Sequence, residues 1–77
     1  MTELTDRERA VLDLEGRVWK HAGTKEDAIR DLGMTPTRHY QVLNGLLDRA
    51  DAWEYAPAAL ARARAVRNRQ RHRRRAA

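Results

Sequence analysis

At 77 residues the chain has room for one small domain with a modest core. It contains no cysteine and no serine, which excludes disulfides, cysteine-ligated zinc and the two commonest side-chain nucleophiles. The formal charge is +5, but it is divided unevenly: residues 1–61 carry eight Lys/Arg against eleven Asp/Glu, whereas residues 62–77 carry eight arginines and no acid.

A mildly acidic body joined to a strongly basic tail points to a polyanion partner, most often nucleic acid. The tail is basic through arginine alone, whose planar fork bonds phosphate bidentately. His21, His39 and His72 are far apart in sequence and match no metal-ligand spacing. With no nucleophile–base pair and no metal set, the sequence leads us to expect neither an enzyme nor a cofactor. No apolar run approaches a membrane span and no signal peptide is visible, so the expected setting is cytoplasmic.

In chain order, a short lead-in is followed by Thr5-x-x-Glu8, which fits the capping box of a first helix. Val11, Leu14, Val18 and Ala22 follow at helical spacing, with Leu12 and Trp19 on the flank, and Gly23 is the expected C-cap. Thr24-x-x-Asp27 resembles a second capping box, opening a short helix with Ala28, Ile29 and Leu32 inward. Gly33 ends it, because glycine takes a left-handed C-cap conformation at little cost.

Thr35 is placed to N-cap a third helix with Pro36 at its first position, running to about Arg49. Tyr40, Leu43 and Leu47 share the expected inward face, with Val42 and Leu46 beside it. The opposite face carries Thr37, Arg38, Gln41 and Asn44, side chains of the types that hydrogen-bond base edges and phosphates. The same pattern also suits the solvated face of an ordinary helix in a small bundle. Gly45 weakens this helix by roughly 1 kcal/mol relative to alanine and suits a close approach, to the first helix or to DNA.

Asp48 to Ala56 reads as a helical turn or a loop, with Trp53 and Tyr55 covering the core edge. Pro57 opens a fourth helix with Ala59, Leu60, Ala63 and Val66 inward. Beyond it, arginines at i and i+4 repel, so the end of the tail is expected to fray unless phosphate orders it.

The stretches Leu4-Thr5-Asp6-Arg7-Glu8-Arg9-Ala10, Trp19-Lys20-His21-Ala22-Gly23-Thr24-Lys25 and Pro36-Thr37-Arg38-His39-Tyr40-Gln41-Val42-Leu43-Asn44 resemble a family of small actinobacterial proteins classed as a domain of unknown function. The resemblance covers roughly residues 4–70 and implies no activity. More loosely, the helix-turn-helix is similar to the promoter-reading region of sigma factors. It departs from that pattern in the turn, where Tyr40 as first inward residue would sit one position late after Gly33.

The expected fold is all-α: a three-helix helix-turn-helix core over residues 4–56 and a basic C-terminal helix or tail over 57–77. The expected function is DNA binding, as a small transcriptional regulator or nucleoid-associated protein. Thr37, Arg38, Gln41 and Asn44 would face the major groove, while Arg62, Arg64, Arg67, Arg69, Arg71, Arg73, Arg74 and Arg75 would meet phosphates. Two alternatives are an adaptor on RNA polymerase or another transcription protein, anchored by Leu12, Trp19 and Trp53, and an RNA-binding protein using the same tail. A monomer with one short reading helix would have low specificity, so either a dimer or a partner fits.

Overall fold

The structure is a computed structural model that describes the backbone of residues 3–76 and the side chains of residues 3–70. The fold is all-α. Among the described residues five helices follow one another: α1 (Asp6–Glu15), α2 (Ala22–Asp31), α3 (Pro36–Leu46), α4 (Ala50–Tyr55) and α5 (Pro57–Ala76). Helix α1 packs against α2, α3 and α5, so it is the central element.

The start of α1 follows the expected capping box. Thr5 Oγ1 accepts from the Glu8 N–H at 3.1 Å, and Glu8 Oε1 accepts from the Thr5 N–H at 2.8 Å. Its end does not follow the apolar stripe. The helix stops at Glu15, and Val18, expected inward, is 88 % exposed. Gly16 weakens propagation of the helix, and two side chains from elsewhere satisfy its last carbonyls. The Trp19 indole N–H donates to the Leu14 carbonyl at 3.0 Å, and the Arg62 guanidinium donates to the Glu15 carbonyl at 2.9 Å.

Because α1 closes early, Gly23 is not a C-cap and Thr24 is not an N-cap. Both lie in the first turn of α2, which starts at Ala22 after His21 and has no side-chain cap bond. This earlier start gives Lys25 a helical position one turn before Ile29, the fully buried residue of α2, and so turns Lys25 toward α1. Ala28 and Leu32 pack beside Ile29 as expected. Helix α2 ends at Asp31 with Leu32 as its C-cap, and Gly33 just beyond has a φ of 80°, the left-handed conformation that favours glycine.

Thr35 caps α3 as expected, its Oγ1 accepting from the Arg38 N–H at 3.1 Å. The phase of α3 differs by one position from the expected face. His39, Leu43 and Leu46 are its buried residues, while Tyr40 is 42 % exposed. Leu47 is buried just beyond the helix. The reason is polar: His39 Nε2–H donates to Glu15 Oε2 at 2.9 Å, and the ring is fully buried. The first inward position therefore follows Gly33 one residue sooner than an apolar reading gives.

Glu15 also receives Lys25, whose Nζ lies 2.8 Å from Oε2 and 3.1 Å from Oε1. One carboxylate on α1 thus accepts from both α2 and α3. Burial raises the Glu15 pKa, but the hydrogen bonds from His39 and Lys25 outweigh it and hold the carboxyl below its ordinary value. Burial lowers Lys25, and the Glu15 hydrogen bond reverses this, holding the ammonium above its ordinary value.

Helix α3 ends at Leu46 rather than near Arg49, and the following segment forms the short helix α4. The Trp53 indole N–H donates to the Leu47 carbonyl at 2.8 Å, sealing the turn. Arg49 spans the same turn, bonding Glu8 of α1 at 2.6 Å and both carboxylate oxygens of Asp51 at 3.1 and 2.7 Å. In α5, Ala59 and Leu60 are in the core, Ala63 is half-buried, and Val66, expected inward, is 45 % exposed.

Leu43→Ala is expected to cost roughly 2–5 kcal/mol in thermal or urea melts, whereas Val18→Ser changes stability little. Equal effects would place Val18 in a core it does not touch here.

The lowered Glu15 pKa gives the sign of the pH dependence. Its contribution is complete above the unfolded-state value and is lost as pH falls through the ordinary carboxylate range to the folded-state value. The raised Lys25 pKa gives a contribution complete below the unfolded ammonium value and lost as pH rises through the folded one. The melting-temperature difference between wild type and Glu15→Gln should therefore be largest near neutrality and shrink on acidification. A difference that does not change with pH would remove these ion pairs from the account.

Candidate nucleic-acid interface

Thr37, Arg38, Gln41 and Asn44 are all exposed and lie on one side of α3, opposite His39, Leu43 and Leu46. Their sequence spacing of one, three and three residues keeps them within about a third of the helix circumference. The capping bond from Thr35 fixes the start of this face, and the left-handed Gly33 turns the chain into it. Arg38 is the one cation on α3, so the face offers donors and acceptors with little charge of its own.

Gly45 belongs to the same face. A Cβ built there meets nothing within 4 Å, so no neighbouring helix requires glycine at this position. The expected choice between close approach to α1 and close approach to something outside the chain is thereby decided against α1.

The arginines of α5 divide into groups. Arg62 bonds the Glu15 carbonyl and so helps terminate α1. Arg64 stacks over the Trp53 ring, its guanidinium carbon 4.7 Å from the ring centroid. Arg67 is half-buried with Nε enclosed and unpartnered, and Arg69 is exposed. Arg71, Arg73, Arg74 and Arg75 lie on the described helical backbone, but their side chains are outside the described residues. The helix has 20 residues, about 30 Å of rise, and from Asn68 to Gln70 every side chain is exposed. Arginine repulsion does not stop α5 before Ala76.

Asn44 alone of the four α3 residues shares a groove with α5. It lines a half-open groove of about 770 Å³ together with Tyr40, Arg62, Val66 and Arg67, while the loop after α1 supplies the third wall. Thr37, Arg38 and Gln41 lie outside this groove. Lys25 reaches over the exposed Tyr40 ring, 5.3 Å from its centroid, and the Tyr40 and His39 rings meet edge to face at 5.0 Å.

The residues named as protein anchors all have contacts within the fold. Leu12 is 1 % exposed, and the indole N–H groups of Trp19 and Trp53 bond backbone carbonyls. Sequence reasoning did not find the Glu15–Lys25–His39 cluster. Its signal, a histidine at i, i+4 and i+7 spacing with Leu43 and Leu46, was present in the chain.

No helix among the described residues is long and apolar enough to cross a membrane, and none of their His, Asp and Glu side chains group as a metal site. Comparison with curated proteins and with solved structures finds no match. One family model spans nearly the entire chain, residues 3–76, and the protein accordingly belongs to the family described as Protein of unknown function (DUF3263).

Proposed function

We propose that the chain binds double-stranded DNA, with α3 in the major groove and the arginines of α5 on the phosphates. The observation that carries this reading is the α3 face: four exposed hydrogen-bonding side chains and an unpacked glycine on a helix capped at Thr35, directly after a tight turn. The one-residue shift in phase supports it further, because with His39 inward the turn loses the extra residue that set it apart from the sigma-factor pattern.

Charge divides the work. Helix α2 exposes Glu26, Asp27 and Asp31, which repel phosphate, so approach from the α2 side is disfavoured. Helix α5 supplies the attraction, and α3 supplies the contacts that distinguish bases. Arg38 would bond guanine or clamp a phosphate, and Gln41 or Asn44 would pair with adenine. Such a protein would act as a small transcriptional regulator or a nucleoid-associated protein, and would be found with the nucleoid.

Arg62 and Arg64 have partners in the fold, so we assign the phosphate contacts to the six arginines from Arg67 to Arg75. Six phosphate contacts give a slope of log K against log salt near −5, at roughly 0.9 per contact. Between about 50 and 200 mM salt, affinity then falls about a thousandfold. Deleting residues 67–77 retains Ala59, Leu60 and Ala63, so the truncated chain should remain folded, with its charge changed from +5 to −1. It is expected to bind DNA weakly with a much shallower slope. Full-strength binding with the original slope would defeat the electrostatic half of this reading.

For the α3 half, Arg38→Ala and Gln41→Ala should each weaken binding to a selected sequence by about 1–3 kcal/mol while leaving non-specific binding nearly unchanged. Equal losses on every duplex would reduce α3 to a backbone clamp. Selection from random duplex DNA at a stated salt concentration supplies the sequence for this test.

A further inference from the structure

We infer that the groove between α5, α3 and the loop after α1 docks a segment of a partner protein in which a carboxylate lies beside apolar side chains. This does not rest on the DNA-binding reading: Thr37, Arg38 and Gln41 lie outside the groove, and of the described residues expected to meet DNA only Asn44, Arg62 and Arg67 line it.

The groove exists because α5 is longer than the body it packs on. Ala59, Leu60 and Ala63 form the docked face of its first turns. One turn further, Val66 and Gln70 continue that face along the wall of the groove. Across the gap stands Val18, 88 % exposed in a loop held by the Trp19–Leu14 bond. Val18, Trp19, Tyr40 and Val66 thus offer apolar surface to one opening. Exposed apolar side chains gathered in one concavity mark an interaction site more often than the same residues scattered singly.

Charge selects the occupant. Arg17, Arg62 and Arg67 border the opening. The one carboxylate in its wall, Glu15, is already engaged by Lys25 and His39. The Arg67 Nε–H is enclosed and has no acceptor, and a buried donor of this kind gains most from a carboxylate. An apolar floor with a cationic rim matches an amphipathic acidic segment better than a nucleic acid backbone, whose charge is continuous and whose apolar surface is small. The opening is exposed along one side, whereas small ligands favour sites that enclose most of their surface.

The test is selection of displayed random peptides against the full chain at about 150 mM salt, followed by titration of the synthetic winners. Winners should carry Asp or Glu within one helical turn of two apolar residues. Their affinity should fall about tenfold or more in the Val18→Ser/Val66→Ser double variant and in Arg17→Glu, and a winner with its acids replaced by amides should bind equally poorly. The double variant should melt with the wild type and bind duplex DNA as before, which separates this site from the α3 face. Several outcomes overturn the proposal: no enrichment over the bare support, winners without acids, or unchanged affinity in the double variant. So would sedimentation showing a wild-type dimer that the double variant loses, since a second copy would then be the occupant.

Discussion

The carboxylate of Glu15 accepts hydrogen bonds from Lys25 of α2 and His39 of α3, and the orientation of the α3 face depends on it. A buried histidine without a partner would be costly, and a buried carboxylate more so. Each is tolerated because the other is there. The pairing fixes which side of α3 faces α1, and therefore which side faces solvent. Rotating α3 by one residue would bury Tyr40, expose His39, and carry Thr37, Arg38, Gln41 and Asn44 about 100° around the helix. The chemistry of the outer face is in this sense set by a polar contact on the inner one.

Where local chemistry decides, the sequence was legible. The capping box of Thr5 and Glu8, the Thr35 cap with Pro36 after it, the left-handed Gly33 and the all-α class follow from bonds made within a few residues. What could not be read were helix ends decided by distant partners. Val18 continues an apolar stripe perfectly well, but α1 stops before it at Gly16, and its last carbonyls are taken up by Trp19 and by Arg62, 47 residues away in sequence from Glu15. His39 was passed over because an apolar period counts apolar residues, and its partner is a carboxylate on another helix. Of the candidate interface, the α3 residues are exposed on one face as expected. The assignment of the arginines was coarser: Arg62 and Arg64 have contacts inside the fold that charge counting does not reveal.

The basic helix therefore has two parts. Its first turns are structural, contributing Leu60 to the core and Arg62 to the end of α1. Its later turns carry positive charge away from an acidic body. Joining the two in one continuous helix sets the direction of that charge relative to α3 through backbone geometry, which a flexible tail would not do. Gly45 fits the same picture. It leaves α3 less stable than alanine would, with no packing reason among the described residues, at the C-terminal end of the face proposed to meet DNA.

Both tryptophans of the chain close the C-terminal end of a helix, and both lie beneath an arginine. Trp19 seals α1 under Arg17, at 5.2 Å from guanidinium carbon to ring centroid, and Trp53 seals the turn after α3 under Arg64 at 4.7 Å. Indole emission responds to solvent and to nearby charge, so the molecule contains two optical reporters, one for each of these helix ends. Trp19 borders the groove and Trp53 does not. With either ring replaced by phenylalanine, the colour of the remaining one would show which end of the fold loosens first on heating.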